Sequence, residues 1–239
     1  MERDKVTCIF VLIIIVVYLV YPHIQHRRFD TRAQYTISQF EARVEAYRAA
    51  HHNRQLAHDE GSHPFWLENI SHWLSAINNQ IYNGPTHLLD PFVYRHPPFN
   101  LRHMGFDTDI IGALTIPKID LNLPIYLGAY PQHLNNGVAH LMHSSFPVGG
   151  ENTNAVIAGE RNLHHGRVFR DIQLLEVGDE ITITNFMETI VYKVIETKVI
   201  QPYQVDELAV QSGRDLVTLL TPHTRRRGDQ RYIVIAERI

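Results

Sequence analysis

Residues 6–21, VTCIFVLIIIVVYLVY, form an unbroken apolar run that no later segment repeats. Wound as a helix at about 1.5 Å per residue, the run spans about 24 Å, somewhat short of a bilayer core of about 30 Å. Tyr18 and Tyr21 extend its C-terminal end into the interface. No small-x-small cleavage pattern follows in Pro22 to Arg28, so the run reads as an uncleaved membrane anchor. Arg3 and Lys5 before it are matched by Arg27 and Arg28 after it, which leaves the positive-inside rule undecided.

The period then changes. Thr31 with Gln34 three residues on has the capping-box form, and Ile37, Phe40, Val44 and Tyr47 recur at helical spacing. One amphipathic helix is predicted there, fading in HHNRQLAHDEGSH. A second begins near Ser62 with Pro64 in its first turn, places Trp66, Ile70, Trp73, Ile77 and Ile81 on one face, and stops at Asn83-Gly84-Pro85.

From Ile110 the texture becomes short runs of Ile, Val, Leu, Tyr and Thr separated by Gly, Pro, Asn and Asp. Strands are predicted at 111–117, 121–127, 155–158, 180–186, 189–200, 215–221 and 231–237, with NFME turning between two of them. Few helix-length segments intervene, which disfavours a doubly wound parallel sheet and predicts a compact all-β barrel. The domain reading is an anchor at 1–29, a helical extension at 30–85, a linker at 86–109 and a barrel at 110–239.

Composition narrows the chemistry. At 239 residues and 44% hydrophobic content the chain supports one main core, and a net charge of -3 without a basic stripe gives no nucleic-acid footprint. The triplet Arg225-Arg226-Arg227 reads as a solvated loop. Cys8 is the single cysteine, so intramolecular disulfides and cysteine-rich zinc sites are excluded. The 16 histidines include the adjacent pairs His51-His52 and His164-His165, neither with a carboxylate pattern suited to a metal, and no metal site is predicted.

Three blocks in order, IGALTIPKIDLNLPIYLG, GVAHLMHSSFPVGGENTNAVIAGERN and VTLLT followed by QRYIVIAER, resemble a class C, pilus-assembling sortase. The resemblance implies an eight-stranded barrel outside a Gram-positive cell, requiring no cofactor, that cuts an LPxTG-like sorting signal of a pilin with a cysteine, a histidine and an arginine. The chemistry asks for a thiolate nucleophile, a proton carrier titrating near neutrality, and a fixed cation where negative charge develops.

Carried over by position, the arginine is Arg231, but the cysteine position holds Pro222 and the histidine position holds Glu160. LLDPFVY supplies Asp90, Pro91 and Phe92, which resemble the family's Asp-Pro-aromatic lid, whose aspartate meets the arginine and whose aromatic ring meets the cysteine. Thr221, Thr224, Ser144 and Ser145 are the substitute hydroxyls, with Glu160, His223, His164 and His165 as candidate bases. Proline keeps the turn while removing the nucleophile. The reading is a membrane-anchored pseudosortase, with its barrel on the extracellular side, that binds or scaffolds near pilus assembly. The alternatives are an active transpeptidase or peptidase with a non-cysteine nucleophile, and a decayed copy with no function.

Overall fold

In a computed structural model of the chain, residues 2–57, 65–85, 88–92, 108–161, 168–223 and 230–239 are described, with only the backbone for 2–8, 22–23, 47–57, 65–71 and 73. Two helices come first, α1 (Glu2–Ala57) and α2 (Phe65–Asn83), and a short α3 (Pro131–Leu134) follows later. The strands are β1 (Ile110–Ile116), β2 (Leu121–Leu127), β3 (Val138–His140), β4 (Thr153–Ala158), β5 (Glu180–Asn185), β6 (Thr189–Ile200), β7 (Asp215–Pro222) and β8 (Arg231–Arg238). They close into one barrel in the order β1-β2-β3-β4-β7-β8-β6-β5. The all-β, eight-stranded expectation holds, and each predicted strand is present within two residues at either end.

The strand missed in the sequence is β3. Three residues are too few to show alternation, yet all three are buried, pairing parallel with β2 and antiparallel with β4. The barrel interior is filled by Leu114, Ile116, Ile125, Ile157, Val217 and Leu219, all without solvent exposure. Strands β4 and β7 are covered on their outer face as well: Val156, Leu216 and Leu220 pack there with Leu88 and with Leu208 of the β6–β7 connection. Cover on both faces explains why these strands read as near-continuous apolar runs rather than alternating ones.

The first helix differs from expectation at its start, while Ser62 and Pro64, where the second was expected to begin, lie outside the described residues. α1 is one helix running through Pro22 and Thr31, and Thr31 Oγ1 donates to the Arg27 carbonyl at 2.8 Å, a bond within the helix instead of a cap. Burial supplies the reason, because Phe29 and Ala33 extend the stripe of Ile37, Phe40 and Val44 upstream and pack on the barrel. Tyr47 lies among the side chains outside the described ones, as do Trp66, Ile70 and Trp73. α2 buries Leu74 and Asn78, while Ile77 and Ile81 are half-covered; the Asn78 amide exchanges two hydrogen bonds with the Phe146 backbone, at 2.7 and 3.2 Å. At the α2 stop, a Cβ on Gly84 would stand 2.8 Å from the Gln80 carbonyl oxygen, so the close turn requires glycine.

Candidate functional site

The ends of three adjacent strands, β4, β7 and β8, converge on one rim of the barrel. Ala158 pairs with Leu220 and Pro222 pairs with Arg231. His223 N–H donates to the Gln230 carbonyl at 2.9 Å, which makes Pro222 and Arg231 a non-hydrogen-bonded pair. Their Cα atoms are therefore about 4.5 Å apart, with side chains on one face. Register thus brings the expected nucleophile position beside the expected arginine, and Pro222 needs no N–H toward β8.

Toward β4 it does lack one. In this parallel pairing Gly159 N–H donates to the Leu220 carbonyl at 3.0 Å, so the Gly159 carbonyl is due a donor from the N–H of residue 222. Proline has none. The Thr221 hydroxyl, fully buried, fills the gap by donating to Gly159 O at 2.8 Å. Gly159 itself has no room for a side chain, since a Cβ there would lie 2.5 Å from the Phe169 ring. Glu160 follows, half-exposed, with its carbonyl accepting from Phe169 N–H at 3.0 Å.

Arg231 is closed over by the segment 88–92. Its Nε donates to Asp90 Oδ2 at 2.7 Å and its Nη2 to Asp90 Oδ1 at 3.2 Å, with both residues buried. Asp90 Oδ1 also accepts from Phe92 N–H at 2.8 Å, a local turn that holds the carboxylate and the aromatic ring together. The Phe92 ring lies 5.3 Å from the guanidinium carbon and packs on the outer apolar layer. Asp90, Phe92 and Arg231 thus form one plug over the rim. Leu88, buried among Leu141, Val156, Leu208 and Leu220, is a third anchor that sequence reasoning missed. Its signal was an apolar residue two positions before Asp90.

A second bracket, also missed, fixes the chain after Pro222. Arg161 Nη1 donates to the His223 carbonyl, Arg161 Nη2 donates to Gln173 Oε1 at 2.9 Å, and Gln173 Nε2 donates to His223 Nδ1 at 3.1 Å. His223 also lies nearly parallel to Tyr232, with ring centroids 6.1 Å apart.

The substitute hydroxyls are committed elsewhere. Ser144 and Ser145 are buried; Ser144 Oγ donates to the Leu141 carbonyl at 2.7 Å, and Ser145 Oγ accepts from Asn154 N–H at 3.0 Å. Ser144 lies 3.1 Å from His140 Nε2, but that nitrogen is also 3.0 Å from the Ser145 carbonyl, so it carries the proton and cannot act as a base. Burial pushes the His140 pKa down to about 4. Thr224, His164, His165 and Arg225 to Arg227 lie outside the described residues. Among the described residues no three His, Cys, Asp or Glu side chains cluster as a metal site.

A family model for the sortase domain matches residues 114–239. The chain is 29% identical over 131 residues to Sortase D of Bacillus subtilis (strain 168), covering 54% of this chain and 63% of that protein. It is 27% identical over 128 residues to Sortase A of Bacillus anthracis, covering 54% and 59%. It spans about three fifths of the length of these curated relatives. Among solved structures, Sortase C1 of GBS Pilus Island 1 superposes with a TM-score of 0.71 at 30% identity, over 87% of this chain and 92% of that one. Sortase C of Streptococcus pneumoniae does so with a TM-score of 0.71 at 26% identity, over 85% and 96%. The chain therefore belongs to the sortase family, and its structural neighbours are the pilus-type sortases C.

Proposed function

We propose that this protein is a membrane-anchored sortase-like pseudoenzyme that binds or scaffolds a sorting-signal-like peptide near pilus assembly. The observation that carries the reading is Pro222 beside Arg231: the rim retains the arginine and its register while the nucleophile position offers neither thiol nor hydroxyl. Cys8, the single cysteine, belongs to α1 within the apolar run. In this reading Arg231 steadies a bound peptide carbonyl once Asp90 and Phe92 have moved, and Glu160 stands where the proton carrier would be. Leu88, Asp90 and Phe92 cover the rim as a built-in competitor.

Residues 6–21 anchor the chain, and α1 is long and apolar enough from Ile9 to cross a membrane. In this reading the barrel lies on the extracellular side. An active transpeptidase with another nucleophile finds no support at Thr221, Ser144 or Ser145, whose hydroxyls are all buried and bonded to backbone. The test is incubation of the full chain, in detergent, with an LPxTG peptide and mass spectrometry of the products. No cleavage and no covalent adduct are expected. Turnover by protein free of other sortases would overturn the reading.

A further inference from the structure

α1 joins the apolar run to the barrel without a change of element. From Ile9 to Tyr21 the large apolar side chains are 45 to 78% exposed, as lipid-facing residues would be. Gln25 and His26 are already half-covered, and Phe29 and Ala33 are buried on the barrel. Tyr21 to Gln25 is four residues, about 6 Å of helix axis. Headgroup layers are about that thick, and a short apolar run draws its flanks toward the bilayer.

The contacts of α1 also give a direction. Thr36 lies beside the Tyr126 hydroxyl and Gln34 reaches Asn122, both on β2, while Phe40 meets the Phe186 ring, centroids 5.1 Å apart, just past β5. Toward its C-terminus the helix thus crosses from β2 toward β5, past β1 between them. Extended the other way, the same line points from β2 toward its other neighbour, β3, and toward the β2–β3 connection that carries α3. That side adjoins the rim, because Phe92 and Tyr126 pack on one cluster formed by Ala129, Leu134, Ala139 and Ala158.

We propose that the barrel sits on the bilayer surface, held by α1, with α3 and the Phe92 side of the groove turned toward the lipid headgroups. The exposed Arg27 and Arg28, at the point where the helix leaves the apolar run, face anionic headgroups. An occupant of the groove then enters along the membrane plane. The proposal is independent of whether the rim is catalytic.

The full chain is tested in nanodiscs of mixed phosphatidylcholine and phosphatidylglycerol that carry a headgroup-nitroxide lipid. On a Cys8→Ser background, a fluorophore is placed through Gln132→Cys on α3 or through Lys193→Cys on β6, across the barrel; both positions are exposed. Quenching several-fold stronger at position 132 is expected. Equal quenching, stronger quenching at 193, or failure of the chain to enter nanodiscs overturns the proposal. A flexible Gly/Ser segment of about twelve residues inserted after Ile24 should erase the difference. If the asymmetry survives that insertion, it does not come from α1 and the proposal fails.

Discussion

The Thr221 hydroxyl donates to the Gly159 carbonyl at 2.8 Å, in the place of the N–H that Pro222 lacks. The two effects belong to one bond, so they should show coupling. Thr221→Val leaves a buried carbonyl without a donor and is expected to cost about 1–3 kcal/mol. On a Pro222→Ala background the restored N–H takes over that carbonyl, and the same substitution should cost clearly less. Chemical denaturation of the four proteins closes the cycle. Equal costs in both backgrounds would show that the hydroxyl does not compensate for the proline.

In the proposed reading, the pairing of Asp90 with Arg231 and the packing of Phe92 beside it compete with a bound peptide. Asp90→Ala with Phe92→Ala removes the carboxylate and the ring, so a sorting-signal peptide is expected to bind at least about tenfold more tightly, or 1.4 kcal/mol. Calorimetric titration of wild type and variant measures the difference. The binding role is lost if neither form binds at millimolar peptide, about -4 kcal/mol.

Elements set by local pattern were legible in the sequence, and those set by distant pairing were not. β6 and β8 announce themselves as runs bounded by turn residues, whereas β3, three residues long, exists because β2 and β4 need a strand between them. Thr31 and Gln34 looked like a helix start because the capping box is a local signal. The burial of Phe29 and Ala33 against the barrel, which carries the helix across that point, is not local. Pro222, Glu160 and Arg231 could be named by position in or beside the three blocks, and Asp90, Pro91 and Phe92 from the separate fragment LLDPFVY. The Thr221–Gly159 bond, the Leu88 anchor and the Arg161–Gln173–His223 bracket each join segments far apart in the chain, so no spacing encodes them.

His140 gives the fold an acid limit. Its ring is fully buried, with no partner for Nδ1 among the described residues, stacks on Phe146 with centroids 5.0 Å apart, and has its pKa pushed by burial from 6.5 down to about 4. The unfolded chain binds a proton near pH 6.5 and the native state does not. The contribution is therefore complete above that pH and is lost as pH falls toward 4. The loss is on the order of 3 kcal/mol over this window. Denaturation between pH 7 and 4 should show this slope in wild type and much less of it in His140→Gln. An equal slope in both would assign the acid sensitivity to other groups.

The proposed inactivity of the rim rests on Pro222 and Glu160, and both can be reversed. Pro222→Cys places a thiol beside Arg231, in a pair whose side chains share one face, and restores the N–H toward Gly159. With Asp90→Ala and Phe92→Ala the guanidinium is released from its carboxylate and can favour the thiolate. Glu160 then opposes it, because a carboxylate on the neighbouring strand end disfavours a second negative charge and is a poor proton donor to a leaving amine. Pro222→Cys on the lidless background should therefore cleave an LPxTG peptide slowly or not at all. Adding Glu160→His, which supplies a group titrating near neutrality, should raise the rate by about 10²–10⁴-fold. Single-turnover assays with product mass spectrometry separate the cases. Cleavage only in the combined variant assigns the proposed inactivity to the two positions. Continued silence in a folded, peptide-binding variant would locate it in the groove walls and sink the idea that the frame still supports transpeptidation.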